Sequence, residues 1–315
     1  MNAPSLDRRS TERALPWPAL VEALRAMLLR KHAGLTRSPE RIAMPLPGGV
    51  LLAMPCTDGE FACTKLATLH DGNPARGLPT LIGEAILIRA DTGEPLARFD
   101  AGTITARRTA ALSALAALEL AGARDERPFA RGGRLLVFGS GVQARAHVDA
   151  LRAVLPLREV AVHSRSPAHA RAFAQVVDDS GLPCRAAESP PSIADYDLVV
   201  TATSSREPLF DDDPRFDGFV AAIGAYRPEM CELPAALLRR CAIHVDDVEA
   251  ARGEAGDLLR AKVDWAGVLP LERVVAGQAR PPARGPVVFK SVGQALWDLA
   301  ACRLAWSQLQ RESER

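Results

Sequence analysis

Hydrophobic positions at Trp17, Leu20, Val21, Leu24, Met27 and Leu28 recur every three or four residues and predict a helix over 16–30. Past Gly34 the pattern shortens to β-like runs at 41–46, 50–55, 61–69, 81–90 and 96–100. Turn signals separate them: Pro47-Gly48-Gly49, Asp58-Gly59, Asp71-Gly72-Asn73-Pro74 and Asp91-Thr92-Gly93. Strands joined this closely predict an antiparallel meander. A long Ala/Leu helix follows, from Thr103 as its N-cap to Ala121, with Gly122 as the stop.

The pattern changes after the charged linker 125–133. Apolar runs at 134–138, 159–163, 196–201, 219–223 and 242–245 alternate with helix-like sequence, and Ser166-Pro167 reads as an N-cap and first helical residue. Strands alternating with helices predict a parallel, doubly wound sheet. The tail 292–310 is helical again and is expected to return to the first domain. The fold class is therefore α/β: a Rossmann-type doubly wound parallel sheet together with a second, α+β domain.

Composition removes several function classes. With 39 basic and 38 acidic side chains the formal net charge is +1, which gives no field to draw the chain onto nucleic acid or an anionic membrane. The start of the chain lacks the apolar core of a secretory signal, and the run 110–123, broken by Glu119, is too short to cross a bilayer. Six scattered cysteines, with no CxxC or Cys/His ligand spacing, predict reduced thiols, a cytoplasmic location and no metal site. Only four lysines occur, Lys31, Lys65, Lys262 and Lys290, against an arginine habit elsewhere.

Gly139-Ser140-Gly141-Val142-Gln143-Ala144 joins a strand to a helix, the context in which GxGxxA cradles a dinucleotide pyrophosphate. The first glycine permits the tight turn, the second lets the backbone approach phosphate, and the helix N-terminus supplies unpaired N–H groups. At the end of the next strand, His163-Ser164-Arg165-Ser166 contains no acid for a ribose 2′-hydroxyl. Ser164 and Arg165 suit a 2′-phosphate instead, so NADPH is favoured, with NADH possible. Thr201-Ala202-Thr203 closes a further strand where cofactor-facing loops lie.

The first domain offers Arg41, Lys65 and Arg108, which would clamp a carboxylate if they converged. These residues, with Gly77-Leu78-Pro79-Thr80 and Arg108-Thr109-Ala110-Ala111-x-Ser113, resemble the ornithine cyclodeaminase and μ-crystallin family. So do the Gly139 motif, Gly224-x-x-x-Pro228-x-x-x-Glu232-Leu233, Val245-Asp246 through Glu254-x-Gly256-Asp257, and Phe289-Lys290-Ser291-Val292-Gly293. The resemblance implies a substrate and dimerisation domain built from 1–124 and 291–315, with a nucleotide-binding domain, 125–290, inserted. It also implies a homodimer, substrate contacts from Arg41, Lys65 and Arg108, and cofactor contacts from Thr80, Ser291 and Val292. Asp246, Glu254 and Asp257 are expected to organise loops.

Family members include ornithine cyclodeaminases, alanine dehydrogenases and reductases of cyclic ketimines. Cyclodeaminases carry an aspartate at the turn where this chain has Ala225. Alanine cannot take a proton from an amine, whereas an imine arrives ready for hydride. Glu229 would substitute only if the turn were shifted. The expectation is an NAD(P)H-dependent reductase converting Δ1-pyrroline-2-carboxylate to L-proline and Δ1-piperideine-2-carboxylate to L-pipecolate, with Lys65 as the catalytic group. A cyclodeaminase, an amino-acid dehydrogenase and an NADPH-dependent small-ligand binding protein are the alternatives.

Overall fold

The computed structural model describes residues 3–121, 133–281 and 283–314. Two compact units are present: Met1–Arg108 with Gln294–Arg315, and Thr109–Gly293. The linker 125–133 lies outside the described residues except for Gly133, as do the stop signal Gly122 and Pro282.

The first unit begins with β1 (Ser5–Leu6), α1 (Arg8–Arg13) and α2 (Trp17–His32). Its meander is β2 (Ile42–Leu46), β3 (Gly49–Thr57), β4 (Phe61–Leu69), β5 (Leu81–Arg89) and β6 (Pro95–Asp100), every consecutive pair antiparallel. β1 pairs parallel with β6, an edge too short for periodicity to reveal. The chain's last helix, Ala295–Ser313, packs on β3, β4 and β5 and beside α2. Side chains alternate across a strand, so Cys63, Lys65 and Ala67 of β4 are buried on the helix side while Leu66 is 48% exposed. A mid-strand lysine on the covered face is the exception that the site must explain.

Helix α3 (Ala101–Leu120) starts in this unit, and the division between the units runs through it, at Arg108/Thr109 rather than in the linker. Its N-cap is Asp100, not Thr103. Asp100 Oδ1 accepts from Thr103 N at 2.7 Å and from the Thr103 hydroxyl at 2.6 Å. A carboxylate at the end of β6 satisfies the third N–H of the helix, and Thr103 is already inside the first turn.

The second unit contains β7 (Gly133–Phe138), α4 (Val142–Val154), β8 (Leu157–His163), α5 (Pro167–Asp178), β9 (Cys184–Ala186), β10 (Leu198–Thr201) and β11 (Phe219–Ala222). It continues through α6 (Ala235–Arg240), β12 (Ala242–Val245), α7 (Val248–Glu254), α8 (Gly256–Ala261), β13 (Leu269–Pro270), α9 (Leu271–Val275) and β14 (Val287–Lys290); the last helix of the chain is then α10. All eight strands are parallel, in the order β13-β12-β14-β11-β10-β7-β8-β9. The order reverses between β7 and β10. Loops after the carboxyl ends of strands part at such a switch point and leave a crevice. Ser166 caps α5 as expected, accepting from His169 N at 3.3 Å.

Candidate active site

In the first unit, three elements bring opposite charges together inside the core. Lys65 stands mid-strand on β4, in register with Met54 and Ala85, and is 2% exposed. Its Nζ lies 2.8 Å from Asp298 Oδ2 on α10 and donates to Thr105 Oγ1 on α3 at 3.2 Å. One turn further along α3, Arg108 donates from Nε to Asp298 Oδ1 at 3.0 Å. Asp298 itself is fully buried. Burial holds the Lys65 ammonium below lysine's ordinary range; Arg108 and Arg41 push the same way, and Asp298 opposes them. Arg41 therefore shares the same electrostatic neighbourhood from the residue preceding β2. Two buried cations, Lys65 and Arg108, share the one carboxylate of Asp298, and buried charge left uncompensated is expensive. This arrangement favours an incoming anion.

Asp298 was not among the sequence candidates. The signal was present: an acid within the stretch Ala295-Leu296-Trp297-Asp298-Leu299-Ala300-Ala301-Cys302, all of it buried. Buried carboxylates are rare unless paired.

In the second unit, the crevice is a cavity of about 520 Å³ at the ends of β7, β8 and β10. Gly139, Ser140, Ser164, Arg165, Ala202 and Thr203 line it, together with Ser166 and His169, and no acid is among the lining residues. Gly139 has φ +110°, and a Cβ there would come 2.5 Å from the Ala202 carbonyl, so the turn requires glycine. Gly141 is different: its missing Cβ would meet nothing within 4 Å, which leaves its backbone open to a ligand. α4 begins at Val142 with no side-chain cap on its first turn. The Ser140 and Ser164 hydroxyls are 3.1 Å apart and tie two of the loops together. Val142 and Gln143 open α4 just behind them.

Glu232 organises the next loops. Fully buried, its carboxylate accepts from Thr201 Oγ1, Thr203 N, Thr203 Oγ1, Gly224 N and Ala225 N, at 2.7 to 3.2 Å. Burial raises this carboxyl above its usual range, while Lys290 and the Thr203 donors pull it back. Asp257 accepts from Glu232 N and Leu233 N, and Lys290 Nζ donates to Asp257 at 2.9 Å. Asp246 similarly takes the Ser291 hydroxyl and the Val292 and Gly293 N–H groups. The two aspartates thus hold loops, as the sequence suggests. Glu232 falls within a quoted motif, but nothing in its spacing marked it as the residue on which Thr201 and Thr203 depend.

Ala225 is buried at the turn after β11, and Glu229 is exposed. Thr80 belongs to the first unit, where its carbonyl accepts from His70 N at the entry to β5. It does not line the cavity of the second unit.

The sequence profile of the ornithine cyclodeaminase/mu-crystallin family matches residues 6–313. The chain belongs to that family. Among its curated relatives is the Δ1-pyrroline-2-carboxylate/Δ1-piperideine-2-carboxylate reductase of Azospirillum brasilense, 39% identical over 96% of this chain and 94% of the relative. Among solved structures, Thermococcus litoralis Δ1-pyrroline-2-carboxylate reductase in complex with NADH and L-proline superposes with a TM-score of 0.89. It is 26% identical and covers 99% of this chain and 98% of its own. An archaeal alanine dehydrogenase dimer with bound NAD has a TM-score of 0.88, at 26% identity and the same coverage. The family thus joins relatives named for imine reduction to one named for amino-acid dehydrogenation, and the site residues must distinguish them.

Proposed function

We propose that this chain is an NADPH-preferring reductase of cyclic ketimines, taking Δ1-pyrroline-2-carboxylate to L-proline and Δ1-piperideine-2-carboxylate to L-pipecolate in the cytoplasm. The observation that carries this reading is the pair Lys65 and Arg108 on a single buried carboxylate, with Arg41 in the electrostatic neighbourhood of Lys65. A ketimine carboxylate supplies the anion that this group lacks. Asp298 takes Arg108 Nε, so the terminal Nη groups meet the substrate carboxylate together with Arg41. Lys65 then faces the ring nitrogen. Its role would be to give up a proton there, an Nζ–H bond breaking as an N–H bond forms on the ring nitrogen.

The residues of the second unit fit a reduced nicotinamide dinucleotide, which when bound supplies the hydride. Gly139, Ser140, Gly141, Val142 and Gln143 would hold the pyrophosphate, and Thr201, Ala202, Thr203, Ser291 and Val292 would contact the rest of the dinucleotide. Ser164 and Arg165 receive the 2′-phosphate. A charge-assisted hydrogen bond is worth about 1.5–3 kcal/mol. Arg165→Ala is therefore expected to raise KM for NADPH by about ten- to a hundredfold, at 1.4 kcal/mol per tenfold, and to leave KM for NADH nearly unchanged. Equal losses for both cofactors in steady-state kinetics would remove the 2′-phosphate assignment.

Ornithine deamination is disfavoured, because Ala225 has no carboxyl and Glu229 points outward from its turn. The homodimer has support from the uncovered side of the first unit's sheet. Ile42, Ala53 and Leu66 align across β2, β3 and β4, and Met44, Leu51, Thr68 and Ile82 align across β2 to β5. Ile42 is 64% exposed and Met44 49%. An apolar face of this breadth marks an interface. Sedimentation equilibrium should return twice the chain mass, with Ile42→Asp and Met44→Asp together shifting it toward one chain; a wild-type monomer would contradict the assignment.

A further inference from the structure

A lysine and an arginine that both have to grip a substrate need a partner that keeps them charged and apart. Asp298 touches both, and it does so differently. Arg108 Nε makes a directed hydrogen bond to Oδ1. Lys65 Nζ lies 2.8 Å from the other oxygen, Oδ2. Each cation thus holds its own oxygen of the one carboxylate. The residues concerned come from β4, α3 and α10, and Asp298 stands 190 positions after Arg108.

We propose that Asp298 is a positioning residue: one buried carboxylate that keeps Lys65 protonated through Oδ2 and fixes the Arg108 fork through Oδ1, so that both cations meet the substrate in a single orientation. The proposal rests on the ketimine reductase reading for its consequence in catalysis, but not for its effect on Lys65.

The groups around Lys65 are few. Arg108 faces it from α3 and Arg41 from the entry to β2, and both disfavour its charged form. Thr105 of α3 accepts its hydrogen bond. Cys56 of β3, Cys63 of β4 and Cys302 of α10 complete the titratable groups near it and Asp298. Burial raises the Cys302 thiol, whereas hydrogen bonding with Cys302 and Cys56 lowers the Cys63 thiol. Asp298 is the carboxylate in contact with Lys65, and it favours the charged ammonium.

Because the chain has only four lysines, Lys31, Lys65, Lys262 and Lys290, labelling lysine with ¹³C at Cε yields four resonances, and Lys65→Met identifies the one for Lys65. The test follows that resonance against pH in the whole protein without ligand. Removing an opposite charge at this range shifts a titration by about 1–3 pKa units, so Asp298→Asn should move the Lys65 midpoint down by that amount. The signals of Lys31 and Lys262 should stay where they are. With substrate present, the alkaline limb of the kcat/KM profile should move to lower pH by the same amount, since less Lys65 carries its proton. A residue with a merely structural role would lower Tm and leave both midpoints in place. That outcome overturns the proposal.

Asp298→Glu keeps the charge and covers the case in which Asp298→Asn does not fold. Its Lys65 midpoint should stay near wild type, while kcat/KM falls more than about tenfold as the extra methylene displaces the cations. Full kcat/KM in Asp298→Glu would overturn the positioning role. A moved Lys65 midpoint in a protein that reduces no imine would sustain the Asp298 assignment and overturn the reductase reading. Imine reduction with an unmoved midpoint would do the reverse.

Discussion

Arg108→Met is expected to lower kcat/KM for Δ1-pyrroline-2-carboxylate by roughly 10²–10³-fold, with most of the loss in KM. The side chain makes two separate interactions that methionine cannot make. One is the Nε bond to Asp298 at 3.0 Å, within a fully buried pair. Breaking a buried pair on one side costs about 3–5 kcal/mol, part of it in stability and part in the shape of the site. The other is the fork offered to the substrate carboxylate, which acts in the ground state and the transition state alike. Loss of such uniform binding appears in KM. Arg108→Lys should recover little, because lysine restores the charge without the planar pair of donors. Steady-state kinetics on both variants check this. A lysine variant as active as wild type would mean that the charge alone suffices and that the fork is not used.

Lys65→Met should have the larger effect on turnover. Methionine has nearly the same length and no proton, and a positioned proton donor contributes roughly 10²–10⁴-fold. The loss should fall on kcat, with KM changed much less, because Arg41 and Arg108 still hold the carboxylate. The burial of Lys65 on the covered face of β4 makes a purely solvated role untenable, since an ammonium in that position is stabilised only by its partners. Full turnover by Lys65→Met, measured over the pH range of the wild-type optimum, would remove Lys65 as the donor and leave it an anchor.

Much of the fold was legible because its information is local. The runs at 61–69 and 242–245 coincide with β4 and β12, and the helix over 16–30 with α2, since side-chain periodicity reports the buried face directly. β9, β13 and β14 were not anticipated. β14 is three apolar residues and Lys290, without alternation, and it is a strand because β11 and β12 pair with it on either side. β13 has two residues, too few for any period.

The site divides in the same way. Gly139, Ser140, Ser164 and Arg165 belong to a motif whose spacing carries its geometry, and they line one cavity. Asp298 and Glu232 act on residues far away in the chain, and only tertiary structure brings them there. Lys65 stood out as one of four lysines in a chain rich in arginine, but its pairing with Asp298 spans the whole first unit. The cap is Asp100 and not Thr103 because Asp100, at the strand end, accepts from the Thr103 N–H three residues on.

The central claim is tested most directly by following NADPH absorbance with Δ1-pyrroline-2-carboxylate, alongside ammonia release from L-ornithine with NAD. Rapid, saturable NADPH loss with no ammonia is the predicted result, and it would give Ala225 the meaning assigned to it. Ammonia from ornithine, with no imine reduction, would contradict the account.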